Sequence, residues 1–185
     1  EVVQRGGGYH TIPESYLKIQ KVGEGFKVWD KEGIYYEFGL DNGGDILNSN
    51  SIQYLRSGWG DCGPDAYRRD LNKMVDPNGN QIKITYYRDM AGDCNCGGCP
   101  TYVKASYPQH MYYGATSTSY PNGIVHVEFV LDSSRNDVPS GPLVYQTRAL
   151  SLVKVSVGDD LIRQYSFAYN YADSKMRLMS VTQKD

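Results

Sequence analysis

Apolar residues recur at every second position over most of this chain. Ile34, Tyr36 and Phe38 fall on one side of the segment Gly33-Ile34-Tyr35-Tyr36-Glu37-Phe38. Ile82, Ile84 and Tyr86 do the same in Gln81-Ile82-Lys83-Ile84-Thr85-Tyr86. Val125, Val127, Phe129 and Leu131 form a third row, interrupted by His126 and Glu128, and Tyr165, Phe167, Tyr169 and Tyr171 form a fourth. A period of two places alternate side chains on opposite faces, so each row predicts a strand with one buried face. Tyr36, Phe38, Ile82, Ile84, Tyr165 and Phe167 are accordingly expected to be mostly buried. Runs with a 3.6-residue period are missing, and helices should be few or none.

Turn residues fall between these rows. Asp30-Lys31-Glu32-Gly33 joins Phe26-Lys27-Val28-Trp29 to the strand that follows, and Asp76-Pro77-Asn78-Gly79-Asn80 joins residues 71–75 to the strand from Gln81. Asp accepts from nearby backbone N–H groups, Pro presets φ, and Gly supplies a positive φ. The two hairpins superimpose: Asp, two residues, Gly, then apolar residues three and five positions on. Gly158-Asp159-Asp160 links Val153-Lys154-Val155-Ser156-Val157 to a strand over residues 161–171. Two less regular stretches intervene, 41–60 and a cysteine-containing insertion over about 90–121, and residues 56–71 allow a short helical turn. The pattern predicts an all-β chain of antiparallel hairpins in a meander, one segment over 1–185.

Composition agrees. The 185 residues include 17 Tyr and 20 Gly against four Phe, a balance that favours strands and turns. A net charge of −2 and a pI near 5.9 leave no basic footprint for nucleic acid. No stretch approaches the roughly 18 apolar residues of a membrane span. The chain begins at Glu1 and ends in Val181-Thr182-Gln183-Lys184-Asp185, a strand running towards a turn. This reads as a fragment of a longer polypeptide.

Several segments resemble one family in its own order. Tyr9-His10-Thr11-Ile12-Pro13-Glu14-Ser15-Tyr16-Leu17-Lys18-Ile19, followed by Val28-Trp29-Asp30-Lys31-Glu32-Gly33-Ile34-Tyr35-Tyr36-Glu37-Phe38-Gly39, is similar to the N-terminal region of SpvB-type proteins and to Tc toxin B components. Residues 71–86 resemble a YD-repeat hairpin. Arg135-Asn136-Asp137, Leu161-Ile162-Arg163-Gln164-Tyr165 and Arg177-Leu178-Met179-Ser180-Val181 fit the same Rhs/YD-repeat group. The resemblance implies long strands wound into a secreted or cell-surface shell that encloses a toxic C-terminal polypeptide. Its partners would be the rest of its own shell, that cargo and other toxin-complex subunits. The acidic self-cleavage residues of such shells match nothing here, so no catalytic residue is carried over, and no enzymatic activity is expected. The competing reading is a cell-surface adhesion or carbohydrate-binding module using exposed Tyr and Trp, including Trp29 and Trp59.

Four cysteines form the sharpest local signal: Cys94-Asn95-Cys96-Gly97-Gly98-Cys99, with Cys62 upstream. Cys62, Cys94, Cys96 and Cys99 suit a structural Zn site, with Gly97 and Gly98 letting the backbone fold round the ion. The favoured reading is two disulfides stapling an irregular loop in an oxidising compartment. Either way the role is structural, because Pro100-Thr101-Tyr102 does not begin the helix of a redox Cys-x-x-Cys. Intact mass with and without reductant, beside metal analysis, is expected to show the four sulfurs linked to one another or to a metal. His10, His110 and His126 are the only histidines and read as structural or surface groups, with no Ser, Cys or Asp partner close in sequence. Asp41-Asn42-Gly43-Gly44-Asp45 carries oxygen ligands suited to Ca²⁺, yet lacks the spacing of an EF-hand and reads as a solvated turn. Nucleophile-elbow and P-loop patterns are missing, and Gly6-Gly7-Gly8 reads as a flexible loop.

Overall fold

The computed structural model describes residues 2–5, 7–13, 15, 17–56, 64–92, 101–132, 135, 147–172 and 175–185. Among them are fourteen strands and no α-helix. The strands are β1 (Val2–Arg5), β2 (Gly8–Thr11), β3 (Lys18–Val22), β4 (Gly25–Trp29), β5 (Tyr35–Phe38), β6 (Ile52–Arg56), β7 (Pro64–Arg69) and β8 (Leu71–Val75). They continue with β9 (Gln81–Gly92), β10 (Thr101–Tyr113), β11 (Val125–Asp132), β12 (Ala149–Val157), β13 (Asp160–Asn170) and β14 (Arg177–Lys184). Twelve of them form one sheet in chain order, β1-β2-β3-β4-β5-β8-β9-β10-β11-β12-β13-β14, every pairing antiparallel; β6 and β7 form a separate two-stranded ribbon. The sheet does not close into a barrel.

The Asp-Gly turns are built as their residues dictate. Asp30 N–H donates to the Ile34 carbonyl and Gly33 N–H to the Asp30 carbonyl, while Asp30 Oδ1 accepts from Ile34 N–H at 2.8 Å. Asp76 repeats this: its Oδ1 accepts from the Asn78 and Asn80 N–H groups, and its Oδ2 from the Asn80 amide at 2.8 Å. Gly33 and Gly79 take φ of 82° and 86°, the left-handed region that turn geometry requires. The Asn80 amide and its N–H hold the Asp76 carboxyl below the usual carboxylate range. Its contribution to stability is therefore present above the unfolded value and is lost as pH falls through the lowered one.

Register divides the sheet into two faces. Val28 pairs with Tyr36, Tyr36 with Met74, Met74 with Ile82, Ile82 with Tyr113, Tyr113 with Val125, and Val125 with Val157, giving one apolar row across the strands. The opposite row runs Lys27, Glu37, Lys73, Lys83, Tyr112, His126 and Ser156.

Three expectations need correction. Residues 56–71 hold no helical turn among the described positions: Arg56 ends β6, and Pro64–Arg69 is β7, paired with it. Within 90–121, residues 101–113 form the longest strand of the sheet rather than irregular insertion. Its bulges at Lys104 and Gln109 and its Pro108 break the period of two. Tyr36, Phe38, Ile82, Ile84, Tyr165 and Phe167 are half-buried rather than mostly buried. Among the described residues the sheet is a single layer, and it becomes a two-layer core where the β6–β7 ribbon lies on it. There Ile52, Tyr54 and Val103 are buried, with Tyr86 beside them donating to the Leu71 carbonyl at 2.7 Å. The ribbon is fixed by Arg69, whose Nε donates to the Glu24 carbonyl at 2.8 Å and whose guanidinium lies over Phe26.

Candidate functional site

The polar face gathers its chemistry where β10 meets β11. The two strands pair over His110↔Glu128, Met111↔Val127, Tyr112↔His126 and Tyr113↔Val125. His110 and Tyr112 on one strand, and His126 and Glu128 on the other, therefore share the polar face. His110 Nδ1 and His126 Nε2 lie 3.0 Å apart, and the Tyr112 ring stacks on His126 at 4.6 Å with an interplanar angle of 7°. Beyond them Lys154 Nζ donates to Glu128 Oε2 at 3.0 Å. Burial, with the His110 ring second, pushes His126 below the usual histidine value, while Glu128 pulls it the other way.

The 114–124 loop folds back over this seam. Ile124 N–H bonds the Ala115 carbonyl, and Gly158 N–H bonds the Ile124 carbonyl, tying the loop to the β12–β13 turn. Lys83 Nζ donates to Asn122 Oδ1 at 3.0 Å. Two cavities of about 260 and 320 Å³ meet at Pro121 and Asn122; Tyr112, Tyr120, His126 and Asp159 line the first, and Glu37, Asn72, Lys73 and Lys83 the second. Gly123 takes φ of 127°, and a Cβ there would sit 2.5 Å from the Tyr113 carbonyl oxygen. Gly123→Ala is expected to cost about 1–3 kcal/mol in a denaturant titration, because only glycine fits both the dihedral and the approach.

The apolar face carries a groove of about 330 Å³ between Leu17, Ile19, Phe26, Val28, Phe38 and Arg69. At the last strand, Leu178, Met179 and Val181 are exposed, Met179 by 64%.

Each sequence candidate now has a place. Cys62, Cys94, Cys96 and Cys99 lie outside the described residues, as do Trp59, Asn136 and Asp137. Among the described residues no three His, Cys, Asp or Glu side chains gather as a metal group. The carboxylates of the largely exposed 41–45 segment are taken up by local hydrogen bonds. Asp41 accepts from the hydroxyls of Ser49 and Ser51 and from Asn50 N–H, and Asp45 accepts from Leu47 N–H and the Asn48 amide. Trp29 is engaged by its neighbours, with Lys18 Nζ 4.7 Å above its ring and Tyr35 at 5.1 Å. His10 lies on β2, at the far end of the sheet from the other two histidines. The pairing of His110 with His126 is the feature that sequence reasoning missed. The available signal was that both stand at polar positions of their strands, but their meeting depends on the β10–β11 register. No helix among the described residues is long and apolar enough to cross a membrane.

No family model matches the chain, and no curated protein matches its sequence. Solved structures do match. The N-terminal domain of effector protein SpvB from Salmonella typhimurium strain LT2 is 14% identical with a TM-score of 0.62, over 95% of this chain and 68% of that one. TcdB2-TccC3 is 12% identical with a TM-score of 0.64, over 95% of this chain and 11% of that one; its TEV variant is 13% identical with a TM-score of 0.63. This chain thus spans about a tenth of the TcdB2-TccC3 chains. The resemblance stated from the sequence holds at the level of architecture: the chain has the fold of the SpvB N-terminal domain and of a stretch of TcdB2-TccC3.

Proposed function

We propose that this chain is a non-catalytic wall section of a secreted or surface-exposed Tc/Rhs-type shell that encloses a toxic polypeptide. The observation that carries this reading is the single-layer meander itself. Among the described residues twelve strands follow one another in chain order without closing, and one face carries an apolar row from Val28 to Val157 on a side that the β6–β7 ribbon covers in part. A sheet of that kind needs further protein against its free edge and its bare apolar face. A wound shell supplies both, with the next strands pairing along β14 and covering Leu178, Met179 and Val181. The fold likeness to toxin-complex components supports the same reading. The partners are then the rest of the shell, its cargo and other toxin-complex subunits.

The polypeptide that carries this segment tests it. Its C-terminal region should resist protease while the shell is intact and become labile once the shell is opened by denaturant. Cleavage of that region at equal rates before and after opening would remove the enclosure role. The chain itself should stay at background in a screen against esters, peptides, glycosides and nucleotides. Activity that disappears on substituting His110 or His126 would replace the scaffold with an enzyme.

A further inference from the structure

Between β10 and β11 the sheet is joined by a short seam. β9 and β10 run in register from Thr101↔Gly92 to Tyr113↔Ile82, and β11 pairs with β12 along its whole length, Val125↔Val157 to Asp132↔Ala149. β10 and β11 meet only over residues 110–113 and 125–128. A second tie lies elsewhere, where Thr147 and Arg148 N–H groups donate to Tyr107 Oη and Arg148 reaches Tyr87. The polar side of the seam is the His110–His126 pair under Tyr112.

A hydrogen bond between two imidazoles needs a proton on one facing nitrogen and a lone pair on the other. The pair is therefore satisfied when both rings are neutral or when one carries an added proton. With both rings protonated, two N–H donors face each other and the bond is lost. The surroundings act both ways: burial and Lys154 oppose charge on His126, while Glu128, opposite His110 in the register, favours it. On β9, Lys83 stands opposite Tyr112, and on β12 Lys154 stands opposite Glu128. The near carboxylates are engaged, Glu128 with Lys154 and Asp159 with Tyr120. One neighbour offers an alternative: Thr85 pairs with His110 across the strands, and its Oγ1 is buried without a hydrogen-bond partner.

We propose that the His110–His126 pair is an acid-sensitive clasp on this seam, closed while it holds at most one added proton and loosened when both rings are charged. In the loosened state His110 turns to Thr85 Oγ1. The lowered proton affinity of His126 gives the sign: the folded seam favours the neutral ring, so its contribution is complete above the ordinary histidine value of about 6.5 and is lost as pH falls below it. The device is independent of the shell reading, since it needs only the seam.

Amide hydrogen exchange of the 185-residue chain, corrected for intrinsic rates, tests it between about pH 7.5 and pH 5. Protection at 110–113 and 125–128 should fall about tenfold or more relative to β12–β13 amides over that range, in the direction set by the lowered proton affinity of His126. His110→Gln and His126→Gln should each flatten that response, and His10→Gln should keep it. Imidazole NMR titration of the unsubstituted chain keeps the proposal testable where a variant fails to fold. His126 should titrate below the ordinary range, with the seam amides moving in step. Protection that stays level with pH, a response that survives both substitutions, or two rings titrating independently in the ordinary range overturns it.

Discussion

Ile52→Ala should destabilise the chain by about 2–5 kcal/mol, measured by the shift of a denaturant midpoint at constant slope. Ile52 is fully buried between the ribbon and the sheet, so truncation removes its transfer free energy and leaves a cavity that two layers cannot easily collapse. The comparison that gives this meaning is Ile84→Ala. Ile84 belongs to the cleanest alternating segment of the sequence, yet it is half-buried on an uncovered part of the face. Its truncation should cost less, about 1–2 kcal/mol, because much of its surface already meets solvent. Equal costs would mean that the apolar face is covered throughout, and that the ribbon does not define the core.

The second large effect is expected at Asp70, where β7 passes into β8. Its carboxylate is 5% exposed and accepts from Arg68 Nε at 2.7 Å and from Gln53 Nε2 at 2.6 Å. Asp70 N–H bonds the Ser51 carbonyl, and its own carbonyl accepts from Gly39 N–H, so one residue links the ribbon to the sheet on both sides. Asp70→Ala leaves the buried Gln53 amide without its acceptor, at a cost of about 1–3 kcal/mol. Asp70→Asn keeps an oxygen in place and should cost less. The same denaturant titration separates them, and an Asn variant as weak as the Ala variant would point to the charge on Arg68 rather than to Gln53.

These residues explain what could be read before the structure. Alternation and the Asp-x-x-Gly turns sufficed for β4–β5 and β8–β9, and alternation with Gly158-Asp159-Asp160 for β12–β13, because there both the face and the turn are written locally. The ribbon was hidden because Ile52, Gln53 and Tyr54 are buried in succession across an irregularity in the register, not in alternation, and the buried residues flanking its strands are polar. Ser49, Ser51, Gln53, Asp70 and Asn72 are buried through hydrogen bonds to each other and to the backbone, which an apolar pattern does not detect. β10 was hidden by its two bulges, each of which turns the following side chains to the other face. The His110–His126 contact was hidden by distance along the chain: it follows from which residues pair, and that register is set at the glycine-dependent return of the 114–124 loop.

Strand order that follows chain order also has a kinetic and evolutionary consequence. Each strand of the large sheet hydrogen-bonds to the strands just before and just after it in the sheet, with a single detour at the ribbon. Contacts of short sequence separation carry little loop-closure entropy, so such a sheet can assemble progressively from one end as the chain is made. A sheet growing in this order does not wait for a distant segment to pair its next strand. It can also gain or lose a hairpin at most points without repairing contacts elsewhere, as a repeat array does. The ribbon is the exception, since β6 and β7 bind Glu24 on one side and the strands around Val103 on the other. Insertions should be tolerated in the β12–β14 region and refused around the ribbon.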